Sequence, residues 1–356
     1  MEYAYYPIFR TRNAELEALR HSDLQKLLPI FELTRSRITQ KDKEGSIAKN
    51  IEKILELKPN QPFILDFTTE KEFTNTEIRL FAKKNEGFDN WYNFCLSIKE
   101  KNNKIIPCLA LINNPNDSDL KAEFEKFLFS FNLVAIRLPL SVDSLIFNEK
   151  MFELINKILQ NFEKDKHKFL FILDFGYVSK APLTEILFKA KDLINDFIRR
   201  NSLEKNKFIL LSSSFPKSVS EITPRDEGYF PIKEFELYKQ LKPLIANNSL
   251  IYGDYGSIHP LTYASYGGSW IPRVDIPYLE SYFFYKCRRD DGGYEDAASR
   301  AIIKVYEEKI DSSLWGIQEI IKASEGDITK KIPSFWISVR INLYLSNVFK
   351  VGILDI

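Results

Sequence analysis

Paired cysteines, long apolar runs and any excess of one charge are all missing from this chain. The three cysteines, Cys95, Cys108 and Cys287, are odd in number and far apart, and none sits in a CxxC spacing. A zinc–cysteine site is therefore not expected, the cysteines read as packing residues, and a reducing cytoplasm suits the chain best. No apolar stretch approaches the roughly 20 residues of a membrane helix. Glu2 and Tyr3 open straight into a strand-like run, so a signal peptide is not expected either. Fifty basic and 49 acidic residues leave a net charge of +1. The chain is thus no polyelectrolyte partner for bulk nucleic acid, and any phosphate-binding surface must be local.

What the chain does have is a rhythm. Its composition, 44% hydrophobic and 28% charged, is that of a globular protein. Eight short apolar runs recur: Tyr5–Arg10, Leu28–Leu33, Pro62–Phe67, Lys104–Ile112, Leu133–Pro139, Phe169–Phe175, Phe208–Ser213 and Leu250–Tyr255. Their near-continuous apolarity predicts strands buried on both faces of a parallel sheet. Helix-period segments lie between most of them. In Leu183–Ile198 the apolar residues Leu183, Ile186, Leu187, Ala190, Ile194 and Phe197 make one buried stripe. The pattern predicts a (β/α)8 TIM-like barrel over residues 1–257. Residues 258–356 then form a mainly helical C-terminal extension packed on it, with helices expected over Tyr294–Lys309, Leu314–Ala323 and Phe335–Val348. The stretch Phe215–Pro231, with three prolines and Gly228, reads as an irregular loop able to lie over a site.

In such barrels the C-terminal strand ends carry the chemistry. Here they hold Arg10, Glu32, Asp66, Arg137, Asp174 and Asp254, with Ser212 and Ser213 on the seventh run. Pointed inward, the carboxylates of Glu32, Asp66, Asp174 and Asp254 need a proton, a divalent cation or the two arginines. Three or four such oxygens suit magnesium or manganese. The plainer alternative is a structural ion network in the barrel mouth. The loops after the seventh and eighth strands, with Ser212, Ser213, Gly253, Gly256 and Ser257, are small enough for a backbone to approach a phosphate, with Lys217 as a point charge. His259, just past the eighth strand, is a candidate acid/base, or else an ordinary turn residue before Pro260. The aromatic run Leu279–Cys287 reads as a packing element or as a surface for a base to stack on.

Several segments also resemble a known family: YYPIFRTRNAELEALR at Tyr5–Arg20, PIFEL at Pro29–Leu33, YGDYGSIHP at Tyr252–Pro260 with Pro272-Arg273 beyond it, and SFWISVRINLYL at Ser334–Leu345. They are similar to the beta protein family, named for a protein of T-even bacteriophage and found also in bacteria, often in mobile or defence-associated contexts. The resemblance implies a phage–host conflict setting and supplies no catalytic residue. The expectation is a cytoplasmic protein whose barrel mouth binds a phosphorylated small molecule, a nucleotide or a nucleic-acid end. There it would act as a metal-dependent phosphoester hydrolase: Glu32, Asp66, Asp174 and Asp254 hold the ion, Arg10 and Arg137 neutralise the phosphate, and His259 protonates the leaving group. The rival is a non-catalytic interaction subunit that docks a protein partner through its C-terminal extension.

Overall fold

A computed structural model describes residues 3–84, 87–111, 117–140, 149–178, 182–261 and 270–354. Eleven strands are found among them: β1 Ile8–Arg10, β2 Ile30–Leu33, β3 Phe63–Phe67, β4 Ile105–Pro107, β5 Val134–Pro139, β6 Phe169–Tyr177, β7 Phe208–Ser213, β8 Glu227–Pro231, β9 Leu250–Asp254, β10 Arg273–Tyr278 and β11 Ser281–Lys286. The fold is mixed α/β, built on two four-stranded parallel sheets in the orders β1-β2-β3-β4 and β5-β6-β7-β9. Isolated parallel bridges join their edges. Tyr5 pairs with Tyr252 and Cys108 with Ala135, and Tyr6 N donates to Tyr252 O at 3.0 Å while Leu109 N donates to Ala135 O at 2.9 Å.

Alternation along these strands sorts the side chains into two sets. On one face Ile8, Ile30, Ile64, Ile106, Ala135, Ile172, Ile209 and Ile251 pack into a single apolar cluster, one residue from each parallel strand. On the other face Phe9, Phe31, Leu65, Ile136, Leu173, Leu210 and Tyr252 meet the helices. Helices occupy the connections at Asn13–Arg20, Ala48–Leu57, Thr76–Phe81, Asp89–Lys101, Asp117–Ser130, Glu149–Leu159, Leu183–Arg200 and Lys233–Leu241. Gly87, at φ +75°, stands between the Thr76–Phe81 and Asp89–Lys101 helices. None of the described helices is long and apolar enough to cross a membrane.

Past β9 the chain adds β10 and β11 to the earlier β8 in a three-stranded antiparallel sheet of order β10-β11-β8, then helices at Gly293–Glu307, Trp315–Ser324 and Pro333–Val348. This changes the reading of Phe215–Pro231. Its last five residues are β8, in register with β11 through Tyr282↔Phe230 and Phe283↔Tyr229, so the segment ties β7 to the extension. The aromatic run is likewise strand β11, with Tyr282 and Phe284 fully buried. The last helix sends Ile341, Tyr344, Leu345 and Val348 into the same apolar core as the parallel strands.

Candidate functional site

The site follows from the alternation just described. Two residues beyond the apolar interior positions Ile8, Ile30, Ile64, Ala135 and Ile172 stand Arg10, Glu32, Asp66, Arg137 and Asp174. They share the face of the apolar plug and top it with a charged layer at the C-terminal strand ends. Register holds the neighbours level, with Arg10 opposite Glu32 and Glu32 opposite Asp66. Above this layer lies a cavity of about 340 Å³, whose lining includes these five residues, Tyr255 and the apolar side chains of Leu109, Leu111 and Phe175.

Arg137 is the hub. Its Nη1 donates to Glu32 Oε2 at 3.0 Å and to Asp66 Oδ2 at 2.9 Å. Its Nε and Nη2 donate to Asp174 Oδ2 at 2.9 and 2.7 Å, and Nη2 also reaches Tyr255 Oη at 3.3 Å. The Tyr255 hydroxyl in turn donates to Asp174 Oδ1 at 2.5 Å. Arg10 Nε lies 3.4 Å from Glu32 Oε1, and its Nη2 donates to the Pro260 carbonyl at the rim. A bulge after Asp174, where Gly176 takes φ +61°, turns the end of β6 so that Gly176 N donates to Asp174 Oδ1 at 3.0 Å.

Burial and charge pull the carboxyls apart. Burial alone would raise Glu32, but the Arg137 and Arg10 guanidiniums outweigh it and hold Glu32 below the usual carboxylate range. Burial raises Asp66; Arg137 opposes this and the neighbouring Glu32 adds to it. Burial works against the Arg137 charge, yet Asp174, Tyr255, Glu32 and Asp66 together keep the guanidinium firmly protonated. Two adjacent carboxyls with displaced affinities for a proton are the arrangement acid–base chemistry uses.

A family model described as Beta protein matches residues 5–350. The chain belongs to the beta protein family. "Protein beta" of Enterobacteria phage P4 is 29% identical over 353 residues, covering 97% of this chain and 92% of the relative. The relative thus comes from P4, where the sequence resemblance had pointed to a T-even phage. Two solved chitinase structures from Pyrococcus furiosus align over 72% of this chain at a TM-score of 0.44. One is active domain 2 in catalytic-site mutants with chito-oligosaccharides, at 8% identity and 83% of its own length; the other is the catalytic domain, at 9% and 85%. Likeness of that degree transfers neither fold nor chemistry.

The remaining residues singled out from the sequence lie elsewhere. Asp254 is one position out of phase with Ile251 and points away from the cavity. It is fully buried, accepting from Tyr5 Oη and Gly256 N at 2.7 Å each and from Tyr344 Oη at 2.9 Å. Ser212 also faces outward, its Oγ buried and without a partner among the described residues. Ser213 faces inward but donates to the Ile258 carbonyl at 2.9 Å and accepts from Phe215 N at 3.1 Å. A Cβ on Gly253 would lie 2.6 Å from Tyr6 O, and one on Gly256 2.5 Å from the Phe9 ring. Both glycines thus serve close packing. Ser257 Oγ is 3.3 Å from Arg340 Nε, and Lys217 is exposed. His259 stands outside the cavity lining, its ring 4.5 Å from that of Tyr177 and its Nδ1 accepting from Leu261 N at 3.1 Å. Among the described residues no group of three or more His, Cys, Asp or Glu side chains is arranged to hold a metal ion.

Sequence reasoning missed two things. Tyr255 belongs to the charged layer, and the phase Ile251, Gly253, Tyr255 is the signal for it. The second is a buried cluster around Asp254. Glu234 Oε2 accepts from Ser214 N at 2.9 Å, and its Oε1 lies 3.2 Å from both Tyr282 Oη and Tyr344 Oη. Burial pushes Glu234 up to about 7.

Proposed function

We propose that the eight parallel strands close into one (β/α)8 barrel, and that its C-terminal mouth binds a small polar ligand over the Arg137–carboxylate cage. The observation that carries this reading is the cage itself: one guanidinium from β5 held by acids from β2, β3 and β6 on the floor of a cavity. Buried ion clusters seldom out-stabilise an apolar plug of the same volume. Placing one at the C-terminal strand ends favours a functional use. In this reading Arg137 fills the position first assigned to magnesium or manganese. A metal-dependent phosphoester hydrolase would need all three acids to leave it. The phage origin of the P4 relative supports a phage setting for this chain.

The test is a ligand-observed NMR screen of a small-molecule library against the wild type and Arg137→Met, with circular dichroism confirming the fold of both. Ligands that bind the wild type and are lost in Arg137→Met support the reading. Identical hits in both proteins, or none in either, contradict it. The docking alternative rests on Tyr229, Ile303 and Tyr306, which are 69, 57 and 65% exposed on β8 and the Gly293–Glu307 helix. Apolar residues exposed singly are ordinary surface, and sedimentation showing self-association lost on Ile303→Lys would be needed to favour that reading.

A further inference from the structure

The cage also specifies what kind of molecule the mouth can hold. A guanidinium has five N–H donors, and in Arg137 all five are spoken for: Nε–H on Asp174, the Nη1 pair on Glu32 and Asp66, the Nη2 pair on Asp174 and Tyr255. An anion arriving above it finds none of these donors on offer and would have to be held by Arg10, itself tied to Glu32 and the Pro260 carbonyl. The carboxylates are in the opposite position, since each has about four acceptor sites. Asp174 is filled by Arg137 Nε and Nη2, Gly176 N and Tyr255 Oη. Glu32 receives Arg137, Arg10 and Thr68. Among the described residues Asp66 receives Arg137 and Phe67 N. About three acceptor sites stay open, most of them on Asp66.

Charge points the same way. Among the described lining residues Glu32, Asp66, Glu70 and Asp174 face Arg10 and Arg137, four acids to two bases. Burial and the neighbouring Glu32 both raise the Asp66 carboxyl, and Arg137 compensates them only in part. A cationic group at Asp66 would take over that compensation. The walls above, Leu109, Leu111, Phe175 and Leu261, offer apolar surface for the rest of a molecule.

We infer that the mouth takes an organic cation, a protonated amine or guanidinium group on a short apolar body, with the cationic head on Asp66 and Glu32. This rests on the mouth being a ligand site, as proposed above. Calorimetric titrations of the whole chain at pH 7.5 with agmatine, glycerol and inorganic phosphate test it, on the wild type, Asp66→Asn and Glu70→Gln. Agmatine should bind the wild type, phosphate should not, and Asp66→Asn should weaken agmatine about tenfold or more. Glu70→Gln leaves the floor intact and keeps the test usable if Asp66→Asn does not fold. It should weaken agmatine about two- to threefold. Binding of phosphate or glycerol but not agmatine would overturn the ligand class while leaving the mouth a site. Binding of none of the three would overturn the organic-cation assignment, while the library screen above decides the mouth as a site. Agmatine affinity unchanged in both variants would place the cation elsewhere and overturn the assignment.

Discussion

At the scale of single residues, two buried carboxyls stand well above the usual carboxylate range. Burial pushes Glu234 up to about 7 from an ordinary 4.5. It pushes Glu123 up to about 8, against one opposing hydrogen bond from Ala110 N. Geometry agrees with a protonated Glu234. Tyr344 Oη lies 3.2 Å from Glu234 Oε1 and 2.9 Å from Asp254 Oδ2, and a single hydroxyl proton cannot serve both. A raised carboxyl keeps its proton in the folded chain at a pH where the unfolded chain has lost it. Its stabilising effect is therefore full below about 4.5 and falls as pH rises towards 7 for Glu234 and 8 for Glu123, by about 3 and 5 kcal/mol. Urea unfolding at pH 5 and pH 8 should show the wild type losing stability over that range and Glu234→Gln losing clearly less. An equal loss in both would contradict this. In the cage the expectation is different. Asp174→Asn takes the negative charge from the acceptor of two Arg137 hydrogen bonds and should cost about 3–5 kcal/mol in urea unfolding, because it leaves a largely buried arginine short of a counter-charge. A loss below about 1 kcal/mol would mean that water reaches the guanidinium.

At the scale of elements, the strands were legible and their facing only in part. The apolar runs mark all eight parallel strands, and the paired PIFR and PIFE segments lie side by side with Arg10 opposite Glu32. These strands are buried on both faces, and that erases the period of two that would tell inside from outside. Asp66 and Asp174 follow an Ile-Leu pair and point inward. Asp254 ends an equally apolar run and points outward, because Gly253 holds the interior position. β8 escaped notice because it carries Gly228 and Pro231 and finds its partner β11 about fifty residues later, beyond the reach of local pattern. The facing of β9 makes a prediction. Gly253→Ala would set a methyl 2.6 Å from Tyr6 O and 2.8 Å from Ile209 Cγ2 and Leu211 Cδ2, at the seam between the two parallel sheets. It should lower stability by about 1–3 kcal/mol, read as a lower urea midpoint. Gly176→Ala should be milder, since nothing lies within 4 Å of its Cβ position and the cost comes from φ +61° alone.

At the scale of the whole molecule, the C-terminal extension is joined to the strands by a common core and by buried polar contacts. Tyr344 reaches Asp254 from the last helix, and Arg340 donates to Asp275 at 2.8 Å while approaching Ser257. A chain cut after Ser257 should lose the cover over Tyr5, Tyr252 and Asp254 and fail to unfold cooperatively. Calorimetric melting of that fragment checks this, and a sharp transition would show the strands folding alone. Arg137 is the cation that Glu32, Asp66 and Asp174 hold. A crystal grown at neutral pH, soaked in millimolar manganese and measured at the manganese edge tests it most directly. Arg137 should lie within hydrogen-bond distance of all three carboxylates, with no anomalous peak among them. A manganese peak ligated by those three acids, with the Arg137 side chain displaced, would contradict it.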